Sequence, residues 1–155
     1  MNKRSAGILP YRRLGQAWQV LLVHPGGPFW ARKDEGAWSI AKGECEPSEP
    51  GLQAALRELR EETGFEPPGP FHALAPVRLK SGKVVEAWAT LAELDAAAFR
   101  SNRFEIEYPP RSGKMRSFPE VDRVEWFDFA TAERKVNAAQ VALLRELQAW
   151  LAAAA

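Results

Sequence analysis

The chain has 155 residues, 46% of them apolar and 26% charged, with a formal net charge of +1. That length predicts one domain with a real core, and the even charge balance argues against a general nucleic-acid binder. Its single cysteine, Cys45, excludes an internal disulfide framework, no run approaches the roughly 20 apolar residues of a membrane span, and the opening MNKRSAGILPYRR shows no signal-peptide core; a cytoplasmic protein is expected. In chain order, residues 5–13 predict a first strand, with Pro10 marking an edge or an irregularity. Gly15-Gln16 is a turn. Residues 18–24 (WQVLLVH) predict a strand buried on both faces. It ends at His24-Pro25-Gly26-Gly27-Pro28, which opens a loop through Phe29, Trp30 and Arg32. A lone histidine at a strand end is more often structural than a catalytic base. Residues 38–41 predict a short strand that delivers Lys42 and Gly43 to the next segment.

Residues 43–65 read GECEPSEPGLQAALRELREETGF. Ser48 predicts an N-cap, Glu49 suits the positive end of a helix dipole, and Pro50 is tolerated in the first turn. Residues 52–63 are mostly strong helix formers, and Gly64 stands where a left-handed C-cap is wanted. Leu52, Ala55, Leu56 and Leu59 form an apolar stripe. Glu58, Glu61 and Glu62 form a second stripe beside it. A solvated face is the ordinary reading of such a run. Yet Glu58 and Glu62 repel one turn apart, and only Glu61 has a cation one turn away, Arg57. Three carboxylates beside an apolar stripe also suit a hard divalent cation, which takes carboxylate and phosphate oxygens together.

The order of Gly43, Glu49, Arg57-Glu58-Leu59, Glu61-Glu62 and Gly64 resembles the signature of the Nudix hydrolases, which cleave nucleoside diphosphates linked to another group. The resemblance implies that Glu58 and Glu62 are principal metal ligands and that Glu61 binds metal or helps activate water. It implies that Arg57 orients Glu58 through a charge-assisted hydrogen bond, and that Glu49 supports the loop-to-helix junction. Gly43 would let the backbone approach the metal, with its carbonyl as a ligand. The metal implied is Mg²⁺, with Mn²⁺ as the alternative. Phe65 stands where an aliphatic residue is commoner, a matter of packing. Cys45 fills a free position of the motif, which argues against a nucleophile. Ala41-Lys42-Gly43 is close to the Pro-Lys-Gly of diadenosine polyphosphate hydrolases and diphosphoinositol phosphatases. That points to polyphosphate substrates and makes Lys42 a candidate phosphate contact.

Beyond the motif, Pro67-Pro68-Gly69-Pro70 is a rigid loop. Residues 71–80 and 83–91 predict two strands around Ser81-Gly82, with Trp88 as a packing residue. Residues 94–114 are less regular, with a short strand candidate at 104–108. Arg111, Lys114 and Arg116 surround Gly113 as either an exposed hairpin tip or a mobile basic lid over a polyphosphate. Residues 124–127 read as a last strand. In dinucleoside polyphosphate hydrolases a further glutamate precedes a similar Trp-containing strand and contacts metal or water. Glu120 matches it, with Asp122, Glu105 and Glu107 as the other late acids. Asn137 to Gln140 fits a capping box. Val141, Leu144, Leu147, Trp150 and Leu151 then form a helical apolar stripe, and residues 152–155 a frayed tail.

These elements predict a single α/β domain over residues 1–155, with a mixed sheet between helices. The resemblance specifies a Nudix-type α/β/α sandwich with a central mixed β-sheet. It implies a Mg²⁺-dependent pyrophosphohydrolase acting on a nucleoside polyphosphate, a dinucleoside polyphosphate ahead of a nucleoside triphosphate. Trp30 and Trp38 are candidates to stack on a base. The other readings are a non-catalytic nucleotide sensor, or a hydrolase of ADP-ribose, nucleotide sugars, diphosphoinositol phosphates or RNA caps. The expected partner is a small-molecule nucleotide, with no membrane, for a monomer or homodimer.

Overall fold

The computed structural model describes residues 4–154. Expectations that fall on Met1, Asn2, Lys3 and Ala155 lie outside the described residues. Eight strands form in chain order: β1 (Arg4–Leu14), β2 (Ala17–Pro25), β3 (Ala41–Glu44), β4 (His72–Arg78), β5 (Val84–Leu91), β6 (Arg103–Glu107), β7 (Met115–Pro119) and β8 (Val121–Asp128). Three α-helices accompany them: α1 (Gly51–Thr63) after β3, and α2 (Phe129–Lys135) and α3 (Val141–Ala153) after β8. Six strands make one sheet in the order β4-β5-β1-β2-β8, with β3 also on β1, while β6 and β7 form a separate hairpin. The β1–β5 pair is parallel and the others are antiparallel, so the sheet is mixed.

Period-two alternation sends the strand side chains to two cores. Val20 and Leu22 point to the face covered by α2 and α3, where they join Phe129, Ala132, Leu143, Leu144 and Leu147. Leu21 and Val23 point to the face covered by α1, where they join Ala54, Ala55 and Leu59. An α/β/α sandwich results. No described helix is long and apolar enough to cross a membrane.

Several local expectations are corrected. Of the two readings of Pro10, the irregularity holds and the edge does not, because β1 is central. The missing N–H is tolerated because β3 pairs β1 up to Ile8 and β2 pairs it from Tyr11, which leaves Pro10 between the two ladders. The short strand lies at Ala41–Glu44, so Lys42 and Gly43 stand on it, while Ser39 makes an isolated bridge to Val23. Ser48 is exposed and does not cap α1; the N-cap is Pro50, with no side-chain hydrogen bond. The helix also rolls towards its acidic side. Ala54, Ala55, Leu59, Glu62 and Thr63 are its buried residues, and Leu52 and Leu56 pack at the margin. Gly64 does close the helix with φ 81°, its N–H donating to the Arg60 carbonyl.

The capping box at Asn137 does not form. Asn137 caps only the short turn Ala138–Gln140, whose Gln140 N–H donates to the Asn137 carbonyl at 2.9 Å, while the Gln140 side chain is buried and turned elsewhere. Gln140 Oε1 instead accepts from the Ile40 N–H at 3.0 Å, and its amide donates to Ser39 Oγ at 2.9 Å. Helix α2 had no signal in the pattern of apolar residues. Asp128 starts it by accepting from the Thr131 N–H at 2.7 Å.

Candidate active site

Arg57 is the hub of the acidic face of α1. Its Nε and Nη2 clasp the Glu49 carboxylate at 2.9 and 3.0 Å, the bidentate fork that guanidinium favours. Nη1 donates to Glu58 at 3.0 Å and to Glu61 at 3.3 Å, and Nη2 also reaches the Glu44 carbonyl at 3.1 Å. One cation thus ties the loop before the helix to two of its acids. The side-chain bond from Arg57, with a backbone N–H from Glu46, holds the Glu49 carboxyl down to about 2. Arg57 is itself held above its usual range, first by Glu49.

Glu58 and Glu62 are placed differently. Glu58 is pushed above its ordinary range by burial and by Glu61, against the pull of Arg57. Its carboxylate lies against the Gly43 backbone, where any Cβ would collide with it. Glu62 is only 9% exposed. Burial, followed by the charges of Glu58 and Glu120, raises its carboxyl to about 9, although the Lys42 ammonium and a backbone hydrogen bond with Lys42 favour the anion. Lys42 is itself lowered by burial and then by Lys83.

Glu120 joins this cluster from the opposite side. It is the residue between β7 and β8, and backbone bonds hold it there. Its N–H donates to the Asn102 carbonyl at 2.8 Å, the Asn102 N–H donates to the Glu61 carbonyl at 2.8 Å, and the Gly26 N–H donates to the Glu120 carbonyl at 2.9 Å. Burial, then Glu61, raises the Glu120 carboxyl. Asn102 acts through its backbone and carried no sequence signal, whereas Gly26, in the turn expected after β2, has no room for a side chain, since a Cβ there would lie 2.0 Å from the Pro119 carbonyl oxygen. The other late acids are used elsewhere. Asp122 bonds His24, and Glu107 accepts the Arg111 and Gly113 N–H groups. Glu105 is exposed.

Lys42, Glu62 and Glu120 line a cavity of about 240 Å³, with Trp30, Ile40, Val121 and Asn137 among its walls. A larger groove of about 540 Å³ runs along the outer side of α1, past Leu52, Leu56 and Pro67. It meets Arg57 and Glu49 from behind and is lined by none of Glu58, Glu61, Glu62 or Glu120, so the smaller cavity is the chemically equipped one. Trp38 cannot stack on a ligand, because it is 1% exposed and its indole N–H donates to Asp34 at 2.8 Å. Trp30 stays 40% exposed. Arg111, Lys114 and Arg116 are exposed on the β6–β7 hairpin, outside the cavity lining. The hairpin meets the loop after β2 through Tyr108 and Phe29, whose ring centroids are 6.1 Å apart.

The donor set fits a divalent cation. Glu62 is a buried carboxylate without a full counter-charge, and Gly43 leaves room for backbone and carboxylate oxygens to converge. No group of three or more His, Cys, Asp and Glu among the described residues forms a ready-made ion cage. A hard divalent cation can take its remaining oxygens from water and substrate phosphates.

Comparisons with known proteins bear on the family and the fold. The family model described as NUDIX domain matches residues 1–147. A *Caenorhabditis elegans* Ap4A hydrolase, solved as a binary complex, superposes with a TM-score of 0.68 at 22% identity, over 96% of this chain and 98% of that one. The NUDIX domain of *Shewanella oneidensis* NrtR, solved with ADP ribose, superposes equally well, with a TM-score of 0.68 at 21% identity over 97% and 89% of the two chains. An octanoyltransferase of *Myxococcus xanthus* is 31% identical over 131 residues, which is 83% of this chain but 32% of that protein. The chain thus spans about a third of the length of the curated relative it matches.

Proposed function

We propose that this chain, which belongs to the NUDIX domain family, is a divalent-metal-dependent pyrophosphohydrolase acting on a nucleoside polyphosphate. The observation that carries the proposal is Glu62, a carboxylate 9% exposed and crowded by Glu58 and Glu120. Such a group weakens the fold unless a cation joins it. Glu58 and Glu62 would hold the ion, Mg²⁺ or Mn²⁺, with Glu61, Glu120 and the Gly43 carbonyl as further oxygen donors. The ion supplies charge neutralisation at the phosphate oxygens and lowers the pKa of water.

The chain's own groups do the rest. Arg57 fixes Glu58 and Glu61 so that neither has to reorganise when substrate arrives. Glu61 and Glu120, on opposite sides of the cluster, are the carboxylates placed to orient water and take its proton. The water oxygen becomes bonded to one phosphorus as the bridging P–O bond breaks. Lys42 meets the phosphates from the cavity wall. Arg111, Lys114 and Arg116 would meet the outer phosphates of a long polyphosphate.

Lys42-Gly43 and the basic hairpin favour a dinucleoside polyphosphate over a nucleoside triphosphate. ADP-ribose is the second reading, supported by the equal likeness to a domain solved with that ligand. The complete acid set counts against a pure sensor. Cys45, a free thiol, supports a reducing cytoplasm, and a monomer or homodimer would suffice for these roles. The test is product release from dinucleoside polyphosphates, nucleoside triphosphates, ADP-ribose and diphosphoinositols. It is run with Mg²⁺ and with chelator, for the wild type and Glu62→Gln. Metal-dependent turnover that Glu62→Gln abolishes supports the proposal. Nucleotide binding without turnover of any substrate overturns it in favour of the sensor.

A further inference from the structure

The cavity that holds Glu62 and Glu120 has about 240 Å³. Pockets that enclose small-molecule ligands usually have roughly 300–1,000 Å³, so a nucleoside polyphosphate has to extend beyond it. A second cavity, of about 360 Å³, adjoins it between the turn after β4 and the turn Ala138–Gln140 before α3. Gly36 and Asn137 line both cavities. Space beside Gly36 is open, since a Cβ there would meet nothing within 4 Å.

The second cavity has the chemistry of a nucleobase pocket. Leu79, Ala138 and Ala139 give it apolar walls, its polar side chains are Lys80, Ser81 and Asn137, and no carboxylate is among its described lining residues. Asn137 Oδ1 accepts from the Ala139 N–H at 3.0 Å. That bond fixes the carboxamide and leaves its NH₂ group, which can only donate, without a partner among the described residues. The junction is held from behind. The Asn137 N–H donates to the Trp38 carbonyl at 2.8 Å, and the Gly36 N–H donates to the Arg134 carbonyl at 3.1 Å. Across the cavity, the Leu79 N–H donates to the Lys83 carbonyl and the Gly82 N–H to the Leu79 carbonyl, both at 2.9 Å. A purine has two flat faces and acceptor atoms at its edge, N7 among them. Apolar walls with a fixed donor are its complement.

We propose that this second cavity is a nucleoside subsite, in which the Asn137 NH₂ group donates to an acceptor on the base of a purine nucleotide. Gly36 and Asn137 then form the passage from the base to the phosphates, which meet Lys42 and the acids in the adjoining cavity. That cavity also meets Trp30, in the loop whose Phe29 contacts the β6–β7 hairpin at Tyr108. A long polyphosphate can therefore run from Asn137 past Lys42 to the hairpin cations. The subsite's place in turnover rests on the pyrophosphohydrolase reading; its binding of a base does not.

Adenosine, which has no phosphate, is the first probe, added to metal-free ¹⁵N-labelled protein. Amide shifts that saturate are expected at residues 36, 79–82 and 137–139. Shifts confined to the groove along the outer side of α1, or none at all, overturn the proposal. Ribose 5-phosphate is expected to leave those amides unmoved, and equal shifts from it overturn the base reading in favour of an anion site. Asn137→Asp keeps an acceptor for the Ala139 N–H and replaces the donor with an oxygen. Adenosine is expected to bind this variant about tenfold more weakly, the scale of one hydrogen bond, and an unchanged affinity overturns the role of the amide. Ala138→Trp fills the cavity from an exposed position and is expected to abolish the adenosine shifts. Shifts that persist overturn the location. With a dinucleoside tetraphosphate as substrate, Ala138→Trp is expected to raise KM about tenfold, and an unchanged KM overturns the subsite's role in turnover. A wild type that hydrolyses nothing sinks the hydrolase reading, and adenosine binding still decides the subsite.

Discussion

Gly43 and Glu58 are in such close contact that no side chain fits between the Gly43 backbone and the Glu58 carboxylate. A methyl group there must push the carboxylate from its place beside Arg57, because the three atoms nearest to it all belong to the Glu58 carboxylate, the closest at 2.0 Å. Gly43→Ala is therefore expected to lower kcat/KM by about 10²-fold, the usual penalty for misplacing a reacting group by about 1 Å. Overpacking adds a destabilisation of about 1–3 kcal/mol. Steady-state kinetics with a urea midpoint checks both. An active Gly43→Ala, within about threefold of wild type, would mean that Glu58 does not need this position.

Glu62 sets catalysis against stability. Its carboxylate is buried beside Glu58 and Glu120, with Lys42 as a partial counter-charge. Its carboxyl, raised from 4.5 to about 9, must take up a proton when the metal-free chain folds at neutral pH, and the neutral, nearly isosteric glutamine removes that cost. In the metal-free protein, Glu62→Gln is expected to be more stable by roughly 1–2 kcal/mol, in the range of other substitutions that relieve a functional strain. Urea unfolding with chelator measures this. Added Mg²⁺ should stabilise the wild type more than the variant. A destabilised Glu62→Gln would show that the anion is already satisfied by the protein.

The Glu49–Arg57 clasp predicts a specific acid sensitivity. The Glu49 carboxyl is lowered from 4.5 to about 2 in the folded protein. A depressed folded value means that the folded state binds fewer protons, so the contribution is complete above pH 4.5 and disappears as pH falls through about 2. The stability gap between the wild type and Glu49→Gln should be constant from pH 7 to 5, shrink below 4.5 and vanish near 2. Urea midpoints across that range test it, with the difference between proteins cancelling the other carboxylates. A gap that persists at pH 2 would assign Glu49 a packing role in place of an ionic one.

Glu120 can be separated from the other late acids by function. It lines the cavity, whereas Glu107 closes its own hairpin tip and Glu105 is exposed. Glu120→Gln is expected to lower kcat by about 10²-fold, the lower end for loss of a positioned acid or base, while Glu105→Gln and Glu107→Gln stay within about threefold. The three kcat values, read at saturating Mg²⁺, decide the assignment. Equal losses in all three would place the second carboxylate elsewhere.

How far the sequence could be read follows from how local each signal is. The motif helix, the Gly64 cap and the doubly buried strand β2 rest on neighbours along the chain, and pattern alone reveals them. The polar partners that set the site come from far away. Gln140 fits a local capping box by its position, yet it bonds Ile40 and Ser39 about a hundred residues earlier. The local pattern offers Ser48 as a cap, but α1 starts three residues after it, at Gly51, and it is Glu49 that the guanidinium of Arg57 holds. Asn102 positions Glu120 through its backbone N–H and carbonyl, groups common to every residue type but proline, which lacks the N–H. Trp38 offers an aromatic ring, but its burial depends on β2, β8 and Asp34 meeting around it.

The basic hairpin distinguishes polyphosphate length from nucleotide identity. Arg111, Lys114 and Arg116 lie outside the cavity that holds Glu62, so they can reach only phosphates that extend beyond it. Exposed cations act over about a Debye length, roughly 8–10 Å at physiological salt. Replacing all three with alanine is expected to raise KM about tenfold for a dinucleoside tetraphosphate and less than about threefold for ADP-ribose, with kcat little changed. Near 1 M salt, where the screening length is about 3 Å, the difference between the two substrates should close. KM values for both substrates at low and high salt make the measurement. If the triple variant treats both substrates as the wild type does, the three cations are an exposed hairpin tip, and the discrimination lies in the walls around Trp30 and Lys42.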